Sequence, residues 1–278
     1  MSIRLSERLE AIVRAVTPGN VVLDVGCDHA HVPIRLLQDG IAPRALAFDI
    51  IDGPVAIARE NLELAGLSDR CEVRKSDGLS AYKTGEAQTL IIAGMGGIVM
   101  TRILEAEPEK VQSFRELILG PQSEQQLVRS FLRRHGIGIV SEQLIRDGCK
   151  YYPVIRAVPG AKTNGPDWDR YVEELGKMPD AELAKAGVCR DQLLRVLSDV
   201  SFRVSAEDLY GPCLIAADDP ELYRYVVKEL RGRIRVLHQL MENRDTSAGA
   251  VARLDAVRGE TGMLQVLVFL HTFLAKPA

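Results

Sequence analysis

Val21-Val22-Leu23-Asp24-Val25-Gly26-Cys27-Asp28-His29-Ala30 is an apolar, β-branched run that stops at a glycine and turns through polar residues into a helical pattern starting at His31. The run predicts a buried strand over Val21 to Val25, because β-branched side chains pack well on a pleated surface. A glycine at a strand's carboxyl end lets backbone approach a ligand, and the turn after it presents N–H donors suited to a carboxylate such as that of methionine. Asp24, Gly26 and Cys27 are therefore expected to face a bound small molecule. A plain tight turn, with Asp24 a mere loop residue, is the competing reading of this stretch alone.

Outward from it, short apolar runs alternate with helical patterns, the signature of a parallel sheet wrapped by helices. Further strands are predicted at Ala45 to Asp49, Cys71 to Lys75, Thr89 to Ala93, Leu117 to Leu119, Ile137 to Ile145 and Tyr151 to Ala157. Helices are predicted at His31 to Gln38, Pro54 to Ala65 with Gly66 closing it, Ile98 to Glu105 and Glu124 to His135. No helix separates the last two strands, so they read as a hairpin turned at Asp147-Gly148.

The other strand ends carry chemistry. Asp49, followed by Ile50, ends the second strand, where α/β nucleotide sites place an acid on ribose hydroxyls. Its competing reading is a loop acid before the next helix. Asp77-Gly78 follows the third strand and offers an acid to an adenine amino group, or is a simple turn. Ala93-Gly94-Met95-Gly96-Gly97 ends the fourth with three glycines in four residues. Gly96 and Gly97 are expected to clear room for a flat base, with Pro121 beyond the fifth strand. A phosphate loop is disfavoured because no Lys-Ser/Thr follows.

Beyond Pro159, a Pro, Gly, Ala, Lys, Thr and Asn mixture signals a linker, so two domains are expected, 1–158 and 159–278. The second reads as helical: Trp168 to Lys177, Asp180 to Ala186, Arg190 to Leu197, Pro220 to Glu242 and Ala248 to Phe273. Leu222, Tyr225, Val226, Leu230, Ile234, Leu237 and Met241 fall on one face of a long helix, with the last helix expected opposite it.

A hydrophobic fraction of 46% and a charged fraction of 26% are those of an ordinary globular protein. The net charge of -3 gives no global nucleic-acid footprint, so RNA contacts would need local patches. Arg129, Arg133, Arg134 and His135 form one candidate; Arg224, Lys228, Arg231, Arg233 and Arg235 form another, with solvated surface as the alternative. Five scattered cysteines with no CxxC pair argue against a disulfide framework or zinc site, and no metal is expected. Charges in Met1-Ser2-Ile3-Arg4-Leu5-Ser6-Glu7-Arg8, and no long apolar stretch, point to a cytoplasmic protein without a membrane span.

Taken in order, these pieces resemble the TrmK family, bacterial tRNA methyltransferases that modify N1 of adenine 22. The resemblance is carried by Leu5-Ser6-Glu7-Arg8-Leu9, Asp24 to Pro33, Asp77-Gly78-Leu79, Ala93 to Gly97, Asp147-Gly148-Cys149-Lys150-Tyr151-Tyr152 and Tyr210-Gly211-Pro212. It implies a seven-stranded, Rossmann-like class I methyltransferase fold with a C-terminal helical, coiled-coil-like domain. It also implies S-adenosyl-L-methionine as cofactor and tRNA as partner, with no protein partner called for. Under it, Asp24, Gly26, Cys27, Asp49, Ile50, Asp77, Gly78, Ala93, Gly94 and Met95 hold the cofactor. Asp28 is expected to stabilise charge on the adenine, with His29 as runner-up. The chain departs from the family at Cys27, usually serine, at His31, usually tyrosine, and at Gly120-Pro121-Gln122, usually Gln-Pro-Asn. The stretch near 162–204 is longer than expected and reads as a helical insertion. The alternatives are a methyltransferase for another nucleic acid or a small molecule, or a non-catalytic RNA-binding protein. An NAD-dependent oxidoreductase is disfavoured by the missing GxGxxG.

Overall fold

The computed structural model describes residues 4–242 and 247–274, so Met1 to Ile3 of the opening quoted above lie outside it. The chain divides into two compact units, one ending at Asn164 and the other starting at Gly165. The sheet unit contains α1 (Glu7–Ala15), β1 (Val22–Val25), α2 (His31–Gln38), β2 (Ala45–Asp49), α3 (Asp52–Leu64), β3 (Cys71–Lys75) and β4 (Thr89–Ala93). It continues through α4 (Gly97–Ala106), α5 (Pro108–Gln112), β5 (Glu116–Gly120), α6 (Gln125–Arg134), β6 (Ile137–Asp147) and β7 (Lys150–Pro159).

The seven strands lie in the order β3-β2-β1-β4-β5-β7-β6. The first five are parallel, and β7 runs antiparallel to both β5 and β6. Gly148 opens the predicted hairpin turn with φ 58°, a value a glycine adopts without strain. Strand order reverses between β1 and β4, which makes their carboxyl ends the crevice where open α/β sheets bind ligands. Both central strands are buried throughout or nearly so, as continuous apolar runs require.

Helix α1, which apolar patterning left unassigned, is capped by Ser6, whose hydroxyl accepts from the Leu9 N–H. It buries Ala11, Ile12 and Val13 in the core shared with α2 and the sheet. The linker reading of 159–164 also differs from the structure. The Gly160 N–H donates to Gly136 O at 3.0 Å, the Asn164 N–H to Ile139 O at 2.9 Å, and Asn164 Nδ2 to Val140 O at 2.7 Å. These polar residues lie along β6, which is why the division falls six residues later than composition placed it.

The helical unit contains α7 (Trp168–Lys177), α8 (Asp180–Ala186), α9 (Arg190–Ser198), α10 (Val200–Tyr210), α11 (Pro212–Ala216), α12 (Pro220–Glu242) and α13 (Ala248–Phe269), ending in a π turn, Leu270–Leu274. The segment read as an insertion has its own packing: buried Trp168 meets Tyr171 and Phe202 edge-on, and its indole N–H donates to Glu207 at 2.6 Å. Tyr223 of α12 stacks on His271 of the π turn that continues α13, and Arg233 pairs with Glu260 of α13, an opposite sequence order that makes the pair antiparallel. On α12, Leu222 and Val226 are buried, whereas Met241 at the far end of the apolar face is exposed. No helix among the described residues is long and apolar enough to cross a membrane.

Candidate functional site

The site is built where β1 ends. Asp24 is 4% exposed, and burial, reinforced by the neighbouring Asp49, pushes its carboxyl up to about 7. The chain then turns at Gly26, whose φ of 73° favours glycine. A Cβ there would lie 2.0 Å from Met95 Cε, so the missing side chain lets Met95 of the β4 end lie over the β1 end. Cys27 is buried, and burial foremost pushes its thiol up, so it acts as an apolar wall and not a nucleophile.

Asp28 and Ala30 hold left-handed backbone, φ 50° and 57°, which is uncommon for residues with a Cβ and persists where surrounding structure enforces it. That enforcement is visible. The N–H groups of Gly26 and Cys27 both donate to Phe48 O, at 2.8 and 3.0 Å, and that of Ala30 donates to Cys27 O at 2.8 Å. The Asp28 N–H donates to Asp49 Oδ2 at 3.2 Å, and Asn61 Nδ2 of α3 donates to His29 O at 3.0 Å. These engaged amides correct the expectation that the turn offers its N–H donors to a carboxylate: the turn is held by its own acceptors.

Asp49 is 9% exposed and accepts one backbone N–H on each oxygen, from Asp28 and, at 3.0 Å, from Ile51. A carboxylate has about four acceptor positions, so two remain for ligand hydroxyls. Ile50 beside it is exposed, and Asp77 is exposed after β3. Gly78, with φ 52°, packs against Ile103. The side chain of Asp28 stands 71% exposed, its Oδ1 3.1 Å from His29 Nε2, and the His29 ring stacks on His31.

The glycine-rich end of β4 is laced to the end of β5. The Gly94 N–H donates to Gly120 O, the Gln122 N–H to Met95 O at 2.8 Å, and the Gly97 N–H to Ser123 O at 2.8 Å. A Cβ on Gly97 would lie 2.3 Å from Glu124 O. The room attributed to Gly97 is thus filled by the Ser123-Glu124 backbone, which corrects its reading as open space for a base. Pro121 is buried beside it, while Ala93, Gly94, Met95 and Gly96 retain exposure.

Asn61 and Ser123 went unread in the sequence, Gln122 was read only as a departure from the family pattern and Glu124 only as a helix start. Asn61 sits mid-helix with no local signal, whereas Ser123-Glu124 before an apolar-periodic helix was a legible start signal. Arg129 is corrected as a phosphate contact: it is 2% exposed and pairs with the fully buried Glu142 at 2.8 Å. Arg133 and Arg134 are exposed, Arg134 pairing with Glu105 at 3.0 Å. On α12, Arg224, Lys228 and Arg231 are exposed, with Arg235 and His238 continuing the same face; Arg224 pairs with Glu221.

The family model described as a methyltransferase domain matches residues 5–155, over half the chain and all of these strand ends. The tRNA (adenine(22)-N(1))-methyltransferase of Bacillus subtilis is 35% identical over 158 residues, 57% of this chain and 66% of that protein, just under two-thirds of its length. The crystal structure of the B. subtilis TrmK tRNA methyltransferase superposes with a TM-score of 0.75 at 26% identity, covering 95% of this chain and 99% of that one. The M. capricolum TrmK structure in complex with S-adenosyl-homocysteine shares the fold, with a TM-score of 0.67 at 20% identity over 94% of this chain and 99% of that one. The chain belongs to the methyltransferase-domain family, and its similarity to the TrmK structure of B. subtilis extends over 95% of its length.

Proposed function

We propose that this chain transfers a methyl group from S-adenosyl-L-methionine to N1 of an adenine in tRNA, the adenine at position 22. The observation that carries the reading is the closure of Met95 over Gly26, which joins the β1 and β4 ends at the sheet's switch point with the Asp49 carboxylate alongside. The residues fit the cofactor. Asp49 retains acceptor positions for ribose hydroxyls, Gly26 admits Met95 over the β1 end, and Ile50 and Asp77 stand exposed for the adenine ring and its amino group. The cofactor supplies an electrophilic sulfonium methyl.

Adenine N1 is unprotonated at neutral pH, so the protein's task is alignment of its lone pair, and no strong base is required. Methylation makes the ring cationic, and we assign the stabilisation of that charge to Asp28, whose carboxylate is exposed at the rim of the turn. Arg133, Arg134, Arg224, Lys228 and Arg231 supply exposed cations for the RNA backbone. A tRNA substrate implies a cytoplasmic location.

The test is incubation of unmodified tRNA with labelled cofactor, followed by mapping of the methyl. Label at N1 of adenine 22 supports the reading. Label on tRNA lacking that adenine overturns the target, and absence of any cofactor binding overturns the enzyme.

A further inference from the structure

The sheet order separates two halves of the site. Asp49 and Asp77 stand at the ends of β2 and β3, on one side of β1, so an acceptor must come from the side of β4 and β5. There α4 and α6 open, neither with an acid in its first turn. Ile98 and Val99, in the first turn of α4, are 54% and 47% exposed, and Leu127, in the first turn of α6, is 39% exposed. Neither helix needs these residues for its core: α4 buries Met100, Thr101 and Leu104, and α6 buries Val128, Phe131 and Leu132. The lacing of Gly97 to Ser123 and Glu124 joins the two first turns. Aliphatic side chains held in water at a cleft rim forgo their burial energy and mark a surface that a partner covers.

The geometry points to Ile98, Val99 and Leu127 as an apolar plate that packs against the nucleobases adjoining the target adenine once that adenine leaves its stack, a role that rests on the tRNA reading above. Removing a base from a stack exposes the flat faces of its neighbours, and apolar side chains cover such faces in other nucleic-acid complexes. The nearby aromatic rings are committed elsewhere: Phe114 stacks on Tyr82 in the core and Phe131 is buried. The aliphatic trio is what remains on this side. These are positioning residues, which act on the RNA around the adenine and not on N1.

The experiment compares wild type with the combined Ile98→Ala, Val99→Ala, Leu127→Ala variant on two RNAs: the folded tRNA, and the same tRNA substituted so that the target adenine is unpaired. On folded tRNA the variant should lose about tenfold or more in kcat/KM, and on the unpaired one less than about threefold, because the opening is then already done. Cofactor affinity should be unchanged, and Ile98→Met with Leu127→Met, which keeps the apolar area, should restore activity. Undiminished kcat/KM on folded tRNA overturns the proposal, as does an equal loss on both RNAs. Failure of the wild type to methylate either RNA is a different result, which overturns the functional reading itself.

Discussion

Asp24 and Asp28 lie four residues apart and differ in everything that matters chemically. Asp24 is buried, with its carboxyl pushed up to about 7 by burial and by Asp49. Its folded-state value therefore exceeds its unfolded one, so its contribution to stability is fully present below about pH 4 and is lost as pH rises toward 7. Asp24→Asn should accordingly gain melting temperature relative to wild type between pH 5 and pH 8, measured by thermal unfolding across pH; a difference that stays flat contradicts the assignment. Asp28 is exposed, with its carboxylate 3.1 Å from His29 Nε2. Asp28→Ala should lower single-turnover methyl transfer by about 100-fold while leaving calorimetric cofactor affinity within a few-fold, as for a group acting on developing charge. Near-normal transfer would remove Asp28 from the mechanism.

At the scale of elements, another buried carboxylate does structural work at the opposite end of the strands. Glu116 opens β5 and is 2% exposed. It accepts from the Thr17 N–H and hydroxyl at 2.9 and 2.7 Å, the Thr89 hydroxyl at 2.7 Å, Asn20 Nδ2 at 3.3 Å and Arg156 Nε at 2.8 Å. It thereby ties the α1–β1 connection, β4 and β7 to β5. Burial pushes its carboxyl up, yet the hydrogen bonds from Thr17, Thr89 and Arg156 hold it below the ordinary carboxylate value. Stability from this group is present at neutral pH and is lost as pH falls through that lowered value. Glu116→Ala should cost about 3 kcal/mol in urea unfolding, since it strands several polar partners at once. At the other end, Gly97→Ala would put a Cβ 2.3 Å from the Glu124 carbonyl, a backbone atom that cannot swing aside. Its melting temperature should fall and methyl transfer with it, because the β4 and β5 ends are held together at that point; a fully active, equally stable variant would refute this role.

For the whole molecule, a net charge of -3 coexists with a basic face on α12. Arg224, Lys228, Arg231, Arg235 and His238 recur at alternating spacings of four and three, which places them on one exposed face while Leu222 and Val226 are buried. Replacing Arg224, Lys228 and Arg231 together with alanine should raise KM for tRNA about tenfold or more and reduce the slope of log affinity against log salt by about 2, without changing cofactor affinity. Unchanged salt dependence would show that this face is only solvated surface.

The sheet, its terminal hairpin and the residues at its strand ends were legible in the sequence because each is a local matter: β-branched runs, glycines where φ is positive, and acids at the ends of strands. Helix α1 escaped because its apolar face is short and its cap is a single serine. The residues along 159–164 read as a linker because a polar segment that bonds to a sheet edge has the same composition as one that does not. Burial was likewise beyond composition: Arg129 looked like Arg133 and Arg134 until α6 turned it inward onto Glu142. The stretch from Asp24 to Ala30 carries this division in itself. Sequence alone determined that a strand ends there in a glycine turn and that an acid, Asp28, follows it. Only the tertiary structure decided that Met95 fills the space Gly26 leaves, that Asp49 holds the Asp28 amide, and that Asp24 is buried while Asp28 meets solvent, because each depends on side chains and strands brought together from distant parts of the chain.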